Sequence, residues 1–207
     1  MNTRAIPKAL AKPLLALIAL PAALLVSGCG MTEADPGEPP LEGATIGGEF
    51  ELSNSAGETV RWADFDGQYR IVYFGYAYCP DICPTDMQRM AQGLNTFAEN
   101  EPELAAQIQP IFITIDPERD TGEVLDQFTS AFSDRIIGLR GTADQTKAAT
   151  ETFKVFYSRG EDTPGGGYLM NHSNIVYLFG PQGEPIATLP TDQGADAVAA
   201  EIALWVR

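Results

Sequence analysis

Residues 71–84 read Ile71-Val72-Tyr73-Phe74-Gly75-Tyr76-Ala77-Tyr78-Cys79-Pro80-Asp81-Ile82-Cys83-Pro84. The first four residues are a continuous apolar run, which is typical of a strand buried on both faces of a sheet. A helical pattern follows, because apolar residues recur at spacings of three and four from Pro84 onward. The two cysteines therefore lie in the turn between a buried strand and a helix. Pro84 suits the first helical position, which predicts Cys83 as the N-cap.

Further strands and helices extend this pattern along the chain. The other predicted strands are residues 50–52, 59–62, 108–115, 136–139, 175–179 and 185–189. Helical patterns separate the buried strands, so that strand and helix alternate three times before a hairpin and a final helix. This order describes an α/β fold with a mixed central sheet and helices on both faces. It is a thioredoxin-like three-layer arrangement with an extra N-terminal β-hairpin and an inserted helix.

Helix start signals and a glycine-rich stretch predict several boundaries. Asp120 and Glu123 have the spacing of a capping box at the start of a helix. Thr142 and Gln145 have the same spacing before the next helix. Residues 164–167 are rich in glycine and predict a loop. The buried face of the last helix is expected to contain Val198, Ile202 and Trp205.

The first 43 residues are not expected to belong to this fold. Basic residues precede an apolar run from Leu14 to Val26, which is too short for the roughly 20 residues that cross a bilayer as a helix. The run ends in Ser27-Gly28-Cys29, which resembles a bacterial lipobox. We therefore expect a lipoprotein signal peptide over 1–28, a lipidated Cys29, a flexible linker over 29–43 and a domain over 44–207. The alternatives are simple secretion and an uncleaved span.

These features predict the location of the protein and the charge of the processed chain. We expect a membrane-anchored lipoprotein of the bacterial cell envelope, with its domain facing the periplasm or the outside. Removal of residues 1–28 takes away three basic residues and no acidic ones, which changes the net charge from −15 to −18. A nucleic-acid binder needs Lys and Arg to neutralise phosphates, so this charge argues against one.

The content of histidine and cysteine restricts the chemistry further. The chain has one histidine, which excludes H-E-x-x-H zinc proteases and three-histidine zinc sites. Cys79 and Cys83 enclose three residues, one more than the Cys-x-x-Cys of thioredoxins, and this leaves room for a metal between the sulfurs. A structural disulfide is the alternative, but closing so short a loop constrains little additional chain. Two thiolates with one imidazole suit copper(I), whereas zinc would need a carboxylate such as Asp81 or Asp116.

His172 is the imidazole available to such a site. In a thioredoxin-like fold its segment, just before the strand at residue 175, faces the cysteine loop across the end of the sheet. Thioredoxin-like redox enzymes generally carry a cis-proline here, but Asn171-His172-Ser173 contains no proline. The sequence therefore favours metal binding by Cys79, Cys83 and His172 over disulfide exchange alone.

Three separated motifs resemble the Sco/SenC family. They are residues 74–84, the segment Phe112-Ile113-Thr114-Ile115-Asp116-Pro117-Glu118-Arg119-Asp120-Thr121, and His172-Ser173. The resemblance extends from about Ile46 to the C-terminus. It implies a membrane-anchored, thioredoxin-like copper protein that helps to assemble the copper A centre of cytochrome c oxidase, with Cys79, Cys83 and His172 as copper ligands. Position 171 is often acidic in the family, and Asn171 departs from that pattern.

Other side chains near the expected site have simpler interpretations beside functional ones. Asp116 could lie close to the metal, but a turn stabilised by an Asp–Arg pair is the favoured interpretation. Met87 and Met90 are expected to pack in the core rather than to bind copper. Tyr76 and Tyr78 could shield the site or form a docking surface, with ordinary packing as the alternative. Asn171 could alter the basicity of His172.

We therefore predict a metallochaperone that holds one copper ion per monomer and transfers it to the copper A subunit of cytochrome c oxidase. The alternative is a thiol-disulfide oxidoreductase in which Cys79 and Cys83 are the redox-active pair that reduces the acceptor cysteines. A weaker third hypothesis is a redox-sensing role through a sulfenic acid. Further expected partners are other periplasmic copper chaperones or thiol reductases, and the protein is expected to be monomeric.

Overall fold

The central strand of the molecule is the one that leads into the cysteine turn, and all seven of its residues are buried. The computed structural model describes residues 36–207 together with Thr3. The predicted signal peptide, residues 1–28, and the predicted lipidation site, Cys29, lie outside the described residues apart from Thr3. The strands are β1 (Glu51–Ser53), β2 (Thr59–Arg61), β3 (Tyr69–Gly75), β4 (Ile108–Thr114), β5 (Ile137–Leu139), β6 (Tyr157–Asp162), β7 (Tyr168–His172), β8 (Val176–Phe179) and β9 (Pro185–Leu189). The helices are α1 (Ile82–Asn100), α2 (Pro102–Ala105), α3 (Gly122–Ser130), α4 (Ala143–Thr152) and α5 (Ala195–Trp205).

Five strands form one mixed sheet in the order β5-β4-β3-β8-β9. Strands β3, β4 and β5 are parallel, while β8 and β9 run antiparallel to their neighbours. This confirms the predicted α/β, thioredoxin-like arrangement. The three parallel strands end at the same edge, so the turns that follow them are neighbours in space. The cysteine turn is one of these.

Helices α1 and α5 pack against each other with little space between them. A Cβ atom at Gly93 of α1 would lie 2.5 Å from the Val198 side chain of α5. Val198 and Ile202 are buried as predicted, whereas Trp205 is half-buried. Met87 and Met90 are also buried, which confirms their expected place in the core. None of the helices in residues 36–207 has both the length and the apolar character that a bilayer span requires.

The N-terminal hairpin forms as predicted and attaches to the edge of the sheet. β1 and β2 pair antiparallel, and Ser53 exchanges backbone hydrogen bonds with Arg140 beyond β5. The chain contacts the domain slightly before the expected boundary at residue 44. The Leu41 amide donates to the Ile186 carbonyl at 2.9 Å, and the Leu41 side chain packs against the core.

One of the two predicted capping boxes is confirmed and the other is wrong. The Thr142 side chain and the Gln145 side chain satisfy each other's backbone amides at the start of α4. At α3 the N-cap is Thr121, whose hydroxyl accepts from the Val124 amide at 3.3 Å. Asp120 does not cap α3, because its carboxylate turns inward to buried partners near the cysteine turn.

The prediction of Cys83 as the N-cap of α1 is also wrong. The helix begins at Ile82 with Asp81 as its N-cap, which places Cys83 and Pro84 inside the first turn. Proline is tolerated there because the first amides of a helix have no carbonyl partner within the helix. Cys83 is therefore held by helical backbone rather than by the preceding loop.

The loop predicted at residues 164–167 is the turn of a second hairpin, whose two strands were not predicted from the sequence. Strands β6 and β7 pair antiparallel, with Tyr157 opposite His172, and form a two-stranded sheet of their own. Gly166 and Gly167 adopt φ values of 78° and 140° in the connecting turn, a region that favours glycine. His172 is thus the last residue of a strand. The sequence of this hairpin is largely polar and lacks the apolar alternation that predicts a strand.

Candidate metal centre

The cysteine turn is held in place by Asp120, which lies in the connection between β4 and α3. Asp120 accepts hydrogen bonds from the Ala77 amide at 2.9 Å and from the Thr114 hydroxyl at 2.5 Å. The Cys79 amide closes the turn by donating to the Tyr76 carbonyl at 3.2 Å. This brace fixes the direction in which the chain leaves β3 and enters α1.

The two cysteines and the histidine meet at the carboxyl end of the parallel strands. Cys79 Sγ, Cys83 Sγ and a His172 ring nitrogen all lie within 4.8 Å of one another. The His172 Nε2 atom is 3.3 Å from Cys83 Sγ. Both cysteines are free thiols, and Cys79 is 9% exposed whereas Cys83 is 0% exposed. The structure therefore brings together the three residues that the sequence singled out, one of them 89 positions from Cys83.

The orientation of the imidazole ring is set by its own strand end and by two tyrosines. His172 Nδ1 lies 2.9 Å from the Ser173 carbonyl oxygen, so this nitrogen carries the proton and donates. Nε2 consequently faces the cysteine pair. The Tyr76 ring meets the imidazole nearly edge-on, with ring centroids 5.9 Å apart, and the Tyr73 ring lies at 6.3 Å.

The two thiols differ in acidity. The hydrogen bond with Cys83 lowers the pKa of Cys79 far below that of an ordinary thiol, and it outweighs the opposing effect of burial. The same hydrogen bond, followed by burial, raises the pKa of Cys83. The Cys83 amide also donates to Cys79 Sγ at 3.4 Å. Cys79 is thus the more acidic thiol of the pair and ionises before Cys83.

The buried carboxylate of Asp86 is connected to the cysteine pair through Tyr73. Tyr73 of β3 donates a hydrogen bond to Asp86 Oδ2 of α1 at 3.0 Å, and both residues are buried. Burial is the main cause that raises the pKa of Asp86, and burial also raises the pKa of Tyr73. The Tyr73 hydroxyl therefore remains a donor at physiological pH. Asp86 was not predicted from the sequence, in which its signal is a carboxylate on the apolar face of α1.

The turn after β4 contains the Asp–Arg pair that the sequence favoured. Asp116 is buried and accepts from Arg119 Nε at 2.5 Å, and it also accepts from the Tyr168 hydroxyl at 2.9 Å. Neither Asp116 nor Asp81 belongs to the cluster of ligating atoms formed by the described residues. Asp116 therefore belongs to the turn after β4 and not to that cluster.

Two other side chains proposed to surround the ligands lie at the surface. Tyr78 is 52% exposed beside Cys79. Asn171 is exposed, and its amide donates to the Ser158 hydroxyl at 3.4 Å across the hairpin. Tyr76, which the sequence treated as equivalent to Tyr78, is instead buried and contacts the His172 ring.

The donor set decides which metal fits. Two sulfurs and one imidazole nitrogen are soft or borderline ligands, and copper(I) accepts two or three of them. A structural zinc site normally has four ligands. Within residues 36–207 this cluster has three ligating residues, and no further histidine, cysteine or carboxylate supplies a fourth. Cys79, Cys83 and His172 can therefore form a copper site.

Comparison with known proteins supports the same conclusion. The protein-family model described as SCO1/SenC matches residues 38–207. The chain belongs to the SCO1/SenC family. As a SCO1/SenC protein it is similar to the human mitochondrial SCO1 homolog, with 33% identity over 162 residues that cover 78% of this chain and 53% of the human protein. It thus spans about half the length of that relative.

Solved structures of the SCO1/SenC family share the fold. Yeast Sco1 with copper bound matches with a TM-score of 0.71 and 34% identity, covering 78% of this chain and 88% of the yeast chain. Arabidopsis thaliana ScoI with copper bound matches with a TM-score of 0.69 and 30% identity, covering 76% of this chain and 95% of the plant chain.

Proposed function

We propose that this SCO1/SenC protein is a metallochaperone that binds one copper ion through Cys79, Cys83 and His172 and delivers it to the copper A centre of cytochrome c oxidase. The observation that carries the proposal is the convergence of the three donor atoms within 4.8 Å. The copper-bound state of the yeast and plant relatives supports the choice of metal. Copper is here the cargo of the protein.

The chain's own residues account for how the cargo would be held. Cys79 supplies a preformed thiolate, and Cys83 gives up its proton when it binds. His172 presents Nε2 because Nδ1 is engaged with Ser173. Loading requires the reduced pair, since oxidation to a disulfide removes two electrons and the Cys83 proton and leaves no thiolate. Binding is therefore coupled to the redox state of the cysteines.

Anaerobic competition titration of the reduced protein with copper(I) tests this proposal. We expect one copper per chain and a loss of affinity of about 10-fold or more in His172→Ala, as is typical when a site loses part of its ligand environment. Cys79→Ser and Cys83→Ser should each weaken binding further. The matched control is Asn171→Ala, the exposed neighbour of His172, which should bind as the unaltered protein does. Unchanged affinity in His172→Ala would remove that residue from the site.

A second function, reduction of the acceptor's cysteines, is favoured by the unequal acidity of the pair. In this reaction the Cys79 thiolate attacks the acceptor disulfide, which forms a mixed disulfide and releases one acceptor thiolate. Cys83 then attacks Cys79, so that the second acceptor thiol leaves and the Cys79–Cys83 disulfide remains. The imidazole is not needed for either step. Oxidase activity in cells that carry His172→Ala separates the functions, because reduction would survive this change and copper delivery would not.

The same proposal includes anchoring at the membrane of a bacterial cell envelope. Its basis is the lipobox-like Val26-Ser27-Gly28-Cys29, which follows a signal-like segment. Expression with a radiolabelled fatty acid should label the protein, and Cys29→Ser should abolish the label and release the protein from the membrane fraction. Labelling that persists in Cys29→Ser would contradict lipidation at that residue. We also propose that the protein acts as a monomer.

A further inference from the structure

The position of His172 depends on side-chain contacts rather than on the central sheet. The hairpin of β6 and β7 is a separate two-stranded sheet, with no strand ladder to the five-stranded sheet in the described part of the chain. Tyr168, Met170 and His172 alternate with exposed residues along β7, so they share the face turned toward the domain. Contacts made by this face therefore determine where the imidazole lies relative to the cysteines.

Arg119 makes the most extensive of these contacts. Its Nη1 atom donates to the Tyr168 carbonyl at 2.8 Å, and its guanidinium carbon lies 3.6 Å from the centroid of the Tyr168 ring. On the other side its Nε atom donates to Asp116 at the end of β4. Arg119 thus joins the hairpin to the rim of the central sheet by a charged hydrogen bond, a backbone hydrogen bond and a cation–π contact.

Further contacts extend this connection toward His172. The Tyr168 hydroxyl donates to Asp116 Oδ1 at 2.9 Å, so Asp116 binds Arg119 and Tyr168 together. The Arg119 guanidinium also lies 5.7 Å from the Tyr76 ring centroid, and Tyr76 contacts the imidazole of His172. A continuous set of contacts therefore leads from Arg119 to the ring of His172.

We infer that Arg119 is a positioning residue: it holds the β6–β7 hairpin against the sheet so that His172 Nε2 stays beside Cys83. The expected effect of Arg119 on copper binding rests on the proposed ligand set. The expected effect of Arg119 on the hairpin does not depend on that set. Arg119 makes no hydrogen bond to any of the three ligands, so its influence reaches the metal site indirectly, chiefly through the hairpin and also through its contact with the Tyr76 ring.

Arg159 provides a matched control on the same ring. Its guanidinium carbon lies 4.2 Å from the Tyr168 ring centroid, yet its ion pair is with Asp162 of its own strand. The Arg159 side chain is 60% exposed, against 22% for Arg119. Loss of Arg159 removes a cation–π contact within the hairpin and no bond to the central sheet. We expect Arg159→Ala to leave both hairpin and metal binding unchanged.

Hydrogen exchange of the metal-free, reduced protein tests the positioning role directly. Arg119→Ala should accelerate exchange of the β7 amides at least about 10-fold while the β3 amides keep their protection, because only the attachment of the hairpin is lost. Arg119→Lys keeps the charge but not the planar stacking and should give a smaller acceleration. Unchanged β7 exchange, or an equal acceleration in β3, overturns the inference.

Copper(I) competition titration with a double variant provides the second readout. We expect Arg119→Ala to weaken binding about as much as His172→Ala does, and to cause no further loss when both changes are combined, because both act through one imidazole. Additive losses overturn the inference. Failure of the proposed ligand set gives a different result, in which His172→Ala itself binds copper normally. The β7 exchange then still decides the positioning role.

Discussion

The Nδ1 atom of His172 donates a hydrogen bond to the carbonyl oxygen of Ser173 across 2.9 Å, and this local contact directs the opposite nitrogen to the cysteines. A carbonyl oxygen cannot donate, so Nδ1 carries the proton in this arrangement. The tautomer is therefore determined by the strand end, before any metal is bound.

We expect this proton to be visible by nitrogen NMR of the ring. In the metal-free, reduced protein the Nδ1 atom should carry a directly bonded proton, and it should keep that proton after copper(I) is added. The Nε2 resonance should shift on loading because that atom gains the metal. A metal-free ring with a proton on Nε2 and none on Nδ1 would contradict the assignment.

The unequal acidity of the thiols predicts unequal alkylation. Because the hydrogen bond with Cys83 lowers the pKa of Cys79, its thiolate persists when the pH falls below the usual thiol range. Iodoacetamide should therefore modify Cys79 of the reduced protein at pH 6 at nearly the rate seen at pH 8. Cys83 should react much more slowly, since it is buried and its pKa is raised.

Peptide mass spectrometry after short exposures measures both alkylation rates. The protein unfolded in urea is the control, because both thiols should then react at similar rates that fall steeply below pH 8. Equal rates for Cys79 and Cys83 in the folded protein would show that the structure does not distinguish the two thiols.

Asp86 predicts a pH-dependent effect on stability. Burial raises the pKa of this carboxyl above that of an ordinary aspartate, so the protonated form stabilises the fold at low pH and this contribution is lost as pH rises through the folded-state pKa. Asp86→Asn cannot ionise, and its amide oxygen can still accept from Tyr73. The variant should gain on the order of 1 kcal/mol in unfolding free energy at pH 7 relative to the unaltered protein.

Urea unfolding at several pH values between 3 and 7 measures this difference. The gain should shrink toward zero near pH 3, where the Asp86 carboxyl is protonated in both the folded and the unfolded state. Asp126→Asn, at an exposed position on α3, is the control and should show no such pH-dependent gain. A gain for Asp86→Asn that is the same at pH 3 and pH 7 would contradict the prediction.

A larger side chain at position 75 should disturb the site, because Gly75 lies against Cys83. A Cβ atom at this position would lie 2.9 Å from Cys83 Sγ and 3.0 Å from the Phe112 ring. Gly75→Ala should therefore displace the Cys83 sulfur and lower the unfolding free energy by about 1–3 kcal/mol. Copper(I) affinity should fall in parallel. Gly165→Ala, where an added Cβ meets no atom within 4 Å, should change neither quantity.

Strong local patterns allowed most of the fold to be predicted from the sequence. β3 and β4 are continuous apolar runs, and the hairpin of β8 and β9 has a clear turn, so each was predicted within one or two residues of its observed position. The cysteine pair was identifiable because it follows such a run directly. The meeting of Cys83 with His172 could be anticipated only through the thioredoxin-like topology, because 89 positions separate them.

The features that the sequence did not predict depend on tertiary contacts. The β6–β7 hairpin is polar and is stabilised by side chains from elsewhere, above all Arg119. Asp120 has the spacing of a capping residue, but the buried Thr114 hydroxyl and the Ala77 amide offer it better partners. Local spacing cannot reveal a partner 43 positions away, and this explains both the incorrect cap and the missed brace of the cysteine turn.

The separation of the β6–β7 hairpin from the five-stranded sheet divides the metal centre into an inner and an outer half. The sulfur donors follow an innermost strand, with neighbours on both sides, whereas the nitrogen donor belongs to a peripheral ribbon. In the proposed delivery, an acceptor protein would replace the imidazole without breaking a ladder hydrogen bond of the main sheet. Exchange of one donor at a time would then keep the ion bound to a ligand throughout the proposed transfer.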